Sequence, residues 1–186
     1  MSKSGKVATP EDVLSFWFED LTPEAWFKKS DETDKAIIER FAATHLALAK
    51  ERPNLWIETP EAHLALILVL DQFPRNIYRD TPLAFATDLL ALREARRAID
   101  LGHDRAVADD RRVFFYLPFE HSENLADQNR SVALIERLGN DVYTDDAQRH
   151  RAVIAEFGRF PHRNAILGRS SAPSELNYLA KPGAGF

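Results

Sequence analysis

The chain has 186 residues, of which 45% are hydrophobic and 28% are charged, an ordinary composition for one globular domain. It contains no cysteine, which excludes disulfides, thiolate catalysis and cysteine-ligated metal centres. The formal net charge of −5 disfavours a nucleic-acid partner, because phosphates attract basic surfaces. The longest wholly apolar run, residues 64–70, is far shorter than the ~20 residues that span a bilayer, and no apolar segment follows the basic N-terminus. We therefore expect a cytoplasmic protein without a membrane partner.

Threonine and proline mark the expected helix starts in the first half of the chain. The tripeptide Thr-Pro-Glu begins at Thr9, Thr22 and Thr59, and Thr81-Pro82 is a variant of it. A threonine hydroxyl at the N-cap accepts a backbone N–H, and proline suits the first helical position because it has no N–H to leave unpaired. This repeated pattern favours α-helices over strands.

Hydrophobic periodicity predicts helices along the rest of the chain. A helix that is apolar on all sides follows Thr59, which indicates a central buried helix. The other predicted helices follow Ser30, Pro82, Asp110, Ser122, Thr144 and Pro173. Basic side chains form a patch on the helix after Pro82, for which a solvated face is the simpler interpretation and an acidic partner the alternative: Arg93, Arg96 and Arg97.

These elements predict an all-α protein of stacked antiparallel helix pairs, arranged as a tetratricopeptide-repeat-like bundle or a short solenoid. No internal repeat near 34 residues is evident. We expect a disordered N-terminus over residues 1–8, a single helical domain over residues 9–180 and a loose tail over residues 181–186.

The first polar cluster lies at the end of the predicted buried helix and contains Asp71, Arg75 and Asn76 around Phe73-Pro74. Asp71 and Arg75 have the spacing of a helical ion pair, although Pro74 is expected to break the helix between them. One interpretation is an anion or amide site that uses the Arg75 guanidinium and the Asn76 amide. The alternative is a helix stop without a ligand.

A second cluster repeats this pattern of Phe-Pro, a basic residue and asparagine, and it contains Arg159, His162, Arg163 and Asn164. His162 can titrate near neutral pH, and the arginines make the segment cationic. The similarity of the two turns is either a chance repetition of four positions or an indication that the turns meet at one site.

A third cluster, with the opposite charge, contains Glu120, His121 and Glu123. These residue types can act as a general base, a proton shuttle or ligands for a metal. The spacing matches neither a carboxylate-bridged di-iron bundle nor a zinc helix, and we predict no metal and no cofactor. A helix start at Ser122 with Glu123 in its first turn explains the same residues.

Several long polar and aromatic strings resemble the bacterial family known as domain of unknown function 924. The matching segments are residues 13–18, 26–27, 70–79, 115–123, 158–164 and 167–169. The resemblance covers nearly the whole chain between about residues 10 and 179. It implies a fold similar to tetratricopeptide-repeat proteins and implies no activity or cofactor.

Three hypotheses about function remain open. The first is a helical binding protein whose cationic polar pocket, built from the three clusters, takes a small anionic ligand or a peptide. The second is a hydrolase or transferase for a small anionic substrate, with Glu120 or Glu123 as the base and His162 or His121 as the proton shuttle. The third is a purely structural network in which the arginines and carboxylates of the clusters satisfy each other.

Overall fold

A computed structural model describes residues 6–185, and within this part of the chain it contains helices and turns but no strand. The prediction of an all-α protein is thereby confirmed, while the tetratricopeptide-like arrangement stays a prediction. Within the same residues, no helix has the length and apolar character needed to cross a membrane. The α-helices are α1 (Pro10–Ser15), α2 (Asp31–Lys50), α3 (Pro60–Ile67), α4 (Phe73–Ile77), α5 (Asp88–Asp100), α6 (Asp109–Arg112), α7 (Leu117–Glu120), α8 (Leu125–Ile135), α9 (Asp141–Phe157) and α10 (Pro173–Leu179).

The chain divides into two compact units. The first unit comprises Met1–Arg79 and Leu83–Pro118, and the second comprises Asp80–Pro82 and Phe119–Phe186. The single domain expected over residues 9–180 stays a prediction. Of the two expected loose ends, residues 1–5 and 186 lie outside the described residues, whereas the Ala8 N–H donates to the Thr44 hydroxyl at 2.8 Å.

Two of the four threonine-proline pairs begin α-helices as predicted. Thr9 caps α1 and Thr59 caps α3 through their side-chain oxygens. Thr22 and Thr81 precede only short 3₁₀ turns, Pro23–Ala25 and Pro82–Phe85. The pattern therefore identifies a start, but it does not determine whether the helix continues.

The predicted starts of α8 and α9 were wrong by a few residues. Asn124 caps α8 by accepting two backbone N–H groups, and Asn140 caps α9 in the same way. Ser122 instead donates its hydroxyl to Asp127 at 2.9 Å, and Thr144 donates to the Asn140 carbonyl at 3.0 Å. An asparagine cap satisfies the orphan donors that the hydroxyl was expected to satisfy.

The helix predicted to be buried is the centre of the first unit. Residues 64–70 are at most 1% exposed, and α2 and α5 pack against this segment. Aromatic side chains complete the core around Phe73, which contacts Phe41 with ring centroids 4.9 Å apart and Trp17 at 5.6 Å. The continuous apolar sequence follows from this burial on all sides.

Pro74 does not end this helix, contrary to the expectation from its sequence. The chain passes from α3 through a π turn at Leu68–Gln72 directly into α4, which contains Pro74. Because Pro74 has no N–H, the Leu70 carbonyl loses its usual partner, and the Thr87 hydroxyl donates to that carbonyl at 2.7 Å. The π turn adds one residue per turn, which lets the helix accommodate the proline ring.

In the second unit, α8 and α9 pack against each other. The buried side chains of Val153, Ile154 and Phe160 form an apolar cluster, with Phe157 and Tyr178 packed against it. Gly158 ends α9 with φ of 69°, a left-handed conformation that glycine adopts without a steric penalty. The second Phe-Pro turn follows immediately and begins the 3₁₀ turn Pro161–Arg163.

Candidate functional site

The first Phe-Pro turn lies in the first unit, and its polar side chains bind carboxylates of that unit. Arg75 donates to Asp88 at 3.1 and 3.3 Å, and its Nη1 lies 3.6 Å from a carboxylate oxygen of Asp71. Asn76 donates to Asp34 at 2.8 Å, and Arg79 holds the same carboxylate with two hydrogen bonds. The basic and amide groups of this turn are thus engaged within the protein.

The electrostatics of Arg75 agree with this pairing. Burial alone would lower the pKa of Arg75, but the charges of Asp71 and Asp88 outweigh that effect and raise the pKa. The guanidinium is therefore held in its charged form by two carboxylates. An external anion would have to compete with both of them.

The second Phe-Pro turn is organised by Glu123, which lies in the same unit. Its carboxylate accepts two hydrogen bonds from Arg169, at 2.7 and 3.0 Å, and one from the Phe160 N–H at 2.7 Å. Burial alone would raise the pKa of Glu123, but these hydrogen bonds outweigh it and lower the pKa. Arg169 is thus a central residue of this turn, and the sequence clusters did not include it.

The other residues of this turn extend the same network. Arg169 also donates to the Asn164 side-chain oxygen at 2.9 Å, and Asn164 donates to the Ser171 hydroxyl at 3.0 Å. Arg159 binds Glu175 through two hydrogen bonds of 2.6 and 2.8 Å. The interactions with Arg159 and with the Ala172 N–H lower the pKa of Glu175 to about 2.

Glu120 and the histidines of the second unit form a further group, in which Glu120 and His150 are buried. The Glu120 carboxylate lies 3.2 Å from His150 Nδ1. Burial lowers the pKa of His150 to about 3 and that of His162 to about 4, so both rings are neutral at neutral pH. The rings of His121 and His150 have centroids 6.4 Å apart. Arg163 Nη1 donates to the His121 carbonyl at 3.1 Å.

The structure therefore distributes the ten predicted site residues between the two units. Asp71, Arg75 and Asn76 belong to the first unit, and the other seven belong to the second. Their role as a ligand site stays a prediction, and the contacts above show how each turn is held within its own unit. Among residues 6–185, no group of three or more His, Asp or Glu side chains could hold a metal ion.

A different part of the first unit contains an open groove of about 460 Å³. Its walls are the C-terminal end of α2 and one face of α5, and its charged lining consists of Lys50, Glu51, Arg52, Arg93, Glu94 and Arg97. The volume falls within the range typical of small-molecule sites. Two of the arginines belong to the basic patch for which the sequence favoured a solvated face.

Glu94 is the buried acidic group of this groove. It is 4% exposed, and its carboxylate lies 3.1 Å from Arg93 Nη2 and 3.5 Å from Arg52 Nε. On its other side, Glu94 Oε2 lies 3.7 Å from Nε2 of His63. The contact with His63 lowers the pKa of Glu94 in spite of the opposing effect of burial. Glu94 is therefore an ionised carboxylate at neutral pH.

His63 connects Glu94 to a second histidine. Its Nδ1 lies 3.1 Å from Nδ1 of His103, and the two rings meet edge to face with centroids 5.3 Å apart. His63 is fully buried, whereas His103 is half-buried at the surface. The periodicity of α3 accounts for the burial of His63, but no local pattern identifies its distant partners.

A comparison with curated proteins finds no match. A solved structure, that of the protein of unknown function ATU0120 from Agrobacterium tumefaciens, is similar to the chain with 46% sequence identity and a TM-score of 0.88. The match covers 92% of this chain and 96% of the other. The family model described as "Bacterial protein of unknown function (DUF924)" matches residues 13–183. The chain therefore belongs to the DUF924 family of bacterial proteins of unknown function.

Proposed function

We propose that the protein binds a small anionic ligand in the groove between the end of α2 and the face of α5. The observation that carries the proposal is an open cavity of about 460 Å³ whose lining has four cations and two carboxylates. The formal charge of this lining is positive in a chain whose formal net charge is −5. This concentration of positive charge favours an anion of low molecular weight.

The cations of the groove fall into two classes. Arg52 and Arg93 contact Glu94, and Arg52 also donates to the carbonyls of Leu48 and Ala49 at the end of α2. Among the residues that the structure describes, neither Lys50 nor Arg97 lies within ion-pair distance of a carboxylate. Two unpaired cations across one groove suit a dianion such as a phosphate monoester or a dicarboxylate.

The ionised Glu94 restricts the ligand further. A carboxylate in the lining repels a ligand that is acidic on every side, and it attracts a hydroxyl or amino donor. We therefore expect the ligand to combine an anionic group, held by Lys50 and Arg97, with a hydrogen-bond donor directed at Glu94. Phosphorylated alcohols and hydroxy acids meet this requirement.

The experiment uses inorganic phosphate as the first probe, because it carries both charge and donors. Titration into ¹⁵N-labelled protein should shift the signals of the groove, with weaker binding as the salt concentration rises. Arg97→Gln and Lys50→Gln should each weaken binding at least tenfold, since a charge-assisted hydrogen bond contributes ~1.5–3 kcal/mol.

Arg96→Gln is the matched control, because Arg96 lies on the same helix but does not line the groove. It should leave phosphate binding unchanged. Binding that is equally strong in Arg97→Gln and in Arg96→Gln would show that the groove is not the anion site.

The proposal is a narrower form of the binding-protein hypothesis, with the pocket placed in the groove rather than at the Phe-Pro turns. A tetratricopeptide-like stacking of helix pairs and a cytoplasmic location form part of it. The packing of α2 against α4 and of α8 against α9 supports such pairs.

A further inference from the structure

Glu94 contacts the cations of the groove on one side and a buried histidine on the other. Its carboxylate lies 3.1 Å from Arg93 Nη2 and 3.5 Å from Arg52 Nε, and its Oε2 lies 3.7 Å from His63 Nε2. This nitrogen is buried and has no hydrogen-bond partner among the residues that the structure describes. A charge in the groove and a charge on His63 therefore act on the same carboxylate.

His63 and His103 form a pair that can hold one additional proton. Their Nδ1 atoms are 3.1 Å apart, so one Nδ1 donates a hydrogen and the other accepts it when both rings are neutral. A proton added to the pair leaves this hydrogen bond in place, because a doubly protonated His63 donates from Nδ1 to His103 and directs its Nε2–H at Glu94. His103 is half-buried at the surface, so the proton enters from solvent through this ring.

The charges that act on His103 link the pair to the groove a second time. Burial is the main cause that lowers the pKa of His103, and the neighbouring His63 and Arg97 lower it further. Glu61 and Asp104 act in the opposite direction. Because Arg97 also lines the groove, an anion beside Arg97 offsets a positive charge that disfavours the proton.

The other segments packed against α3 add little charge around the pair. The short turns Asn54–Trp56 and Val113–Phe115 contain no ionisable residue. Asp71 of the π turn lies beside Arg75. The remaining charged residues of α1 and of the 3₁₀ turn at His103 are exposed, namely Glu11, Asp12 and Arg105.

We propose that the groove binds its anion together with a proton, which the pair of His63 and His103 takes up behind Glu94. The proton offsets the negative charge of Glu94, which repels the anion, and the anion offsets the positive charge of Arg97, which repels the proton. Each ligand therefore strengthens the binding of the other by the same factor. The coupling rests on the proposed anion site and adds control by pH to it, with tighter binding as the pH falls.

Sulfate is the probe for this coupling, because its charge stays constant over the range in which histidine titrates, whereas that of phosphate changes. Sulfate also has no hydrogen to donate to Glu94, so its binding depends on how far the charge of that carboxylate is offset. The dissociation constant of sulfate from ¹⁵N-labelled protein should fall at least fivefold between about pH 8 and about pH 5.5.

Two matched substitutions identify the group that takes up the proton. His63→Gln keeps a hydrogen-bonding side chain but takes up no proton, and its dissociation constant should change less than about twofold over this range. His45→Gln is the control. His45 belongs to the same unit but lies between Thr87 and Tyr78 and does not line the groove, so this variant should keep the pH dependence of the wild-type protein.

A titration of the unaltered protein gives the reciprocal measurement. Long-range ¹⁵N–¹H correlation follows the histidine rings as the pH is lowered, with and without saturating sulfate. The titration observed at the His103 ring, which reports on the coupled pair, should move to higher pH in sulfate. The size of this movement should correspond to the same factor as the change in sulfate affinity, and the titration of His45 should not move.

The outcomes separate the coupling from the anion site. If Arg97→Gln weakens sulfate binding but the wild-type affinity does not change with pH, the coupling is refuted and the anion site is retained. A pH dependence that persists in folded His63→Gln also refutes the coupling. If that variant does not fold, an unmoved titration at His103 in saturating sulfate refutes it. Equal sulfate binding in Arg97→Gln and Arg96→Gln, or no sulfate binding at any pH in this range, refutes the anion site together with the coupling.

Discussion

Replacing Glu123 and Arg169, singly and together, tests how far the second Phe-Pro turn is held by its own charges. The carboxylate accepts two hydrogen bonds from Arg169 and one from the Phe160 N–H. Charge-assisted bonds of this kind contribute ~1.5–3 kcal/mol each when buried. Because the two side chains are 29% and 25% exposed, solvent reduces this value, and we expect a coupling energy of about 1–2 kcal/mol.

The single substitutions should differ in their cost. Glu123→Ala should destabilise the protein by about 2–3 kcal/mol, because it leaves both Arg169 and the buried Phe160 amide without this acceptor. Arg169→Ala should cost about 1–2 kcal/mol, and the double variant should lose less than the sum of the two. The pair formed by Arg149 and Asp146, whose side chains are 55% and 47% exposed, is the control and should show coupling below ~0.5 kcal/mol.

Urea unfolding followed by far-ultraviolet circular dichroism is the appropriate assay, because every tryptophan belongs to the first unit and fluorescence would report on that unit. The tryptophans are Trp17, Trp26 and Trp56. A coupling energy no larger than that of the control pair would refute the inference that Glu123 organises the turn.

Two further substitutions test buried groups elsewhere. Thr87→Val should lower the free energy of unfolding in urea by ~1–3 kcal/mol, because it removes the hydroxyl that donates to the Leu70 carbonyl. Thr87→Ser keeps a hydroxyl and should lower the free energy of unfolding much less. Equal losses in the two variants would contradict the role of the hydroxyl. His150 has a folded-state pKa of about 3 against an ordinary 6.5, so between these values the unfolded state binds more protons at this site and stability falls as the pH falls. In His150→Gln, the dependence of the unfolding free energy on pH should become shallower in this range, by up to ~1.4 kcal/mol per pH unit. An unchanged slope would show that His150 is not buried in its neutral form.

The helical fold could be predicted because its determinants are local. The Thr9 and Thr59 caps and the apolar run at residues 64–70 each act within one or two turns of their own helix. Pro74 shows where this approach fails. Its effect depends on the π turn before it and on a hydroxyl supplied by Thr87, which is 13 residues further along the chain, and neither is evident from the residues beside the proline.

The candidate groove could be predicted only in part. The basic patch on α5 was evident from the sequence, but its significance depends on which cations find carboxylates after folding. Arg93 has Glu94 as an immediate neighbour, whereas Arg52 reaches Glu94 only because α2 and α5 belong to the same folded unit. The pairing of His63 with His103 spans 40 positions, and no periodic pattern encodes such a contact.

Competition within the protein explains why we place the ligand in the groove rather than at the first Phe-Pro turn. An anion that binds Arg75 must displace two carboxylates, and a buried carboxylate that loses its cation costs several kcal/mol. Among the residues that the structure describes, an anion that binds Lys50 and Arg97 has no carboxylate partner to displace, and it relieves the mutual repulsion of the cations there. Positively charged side chains therefore have different roles at the first Phe-Pro turn and in the groove. Arginines at the turn stabilise the folded chain, and unpaired cations at the groove favour a partner that the chain does not supply.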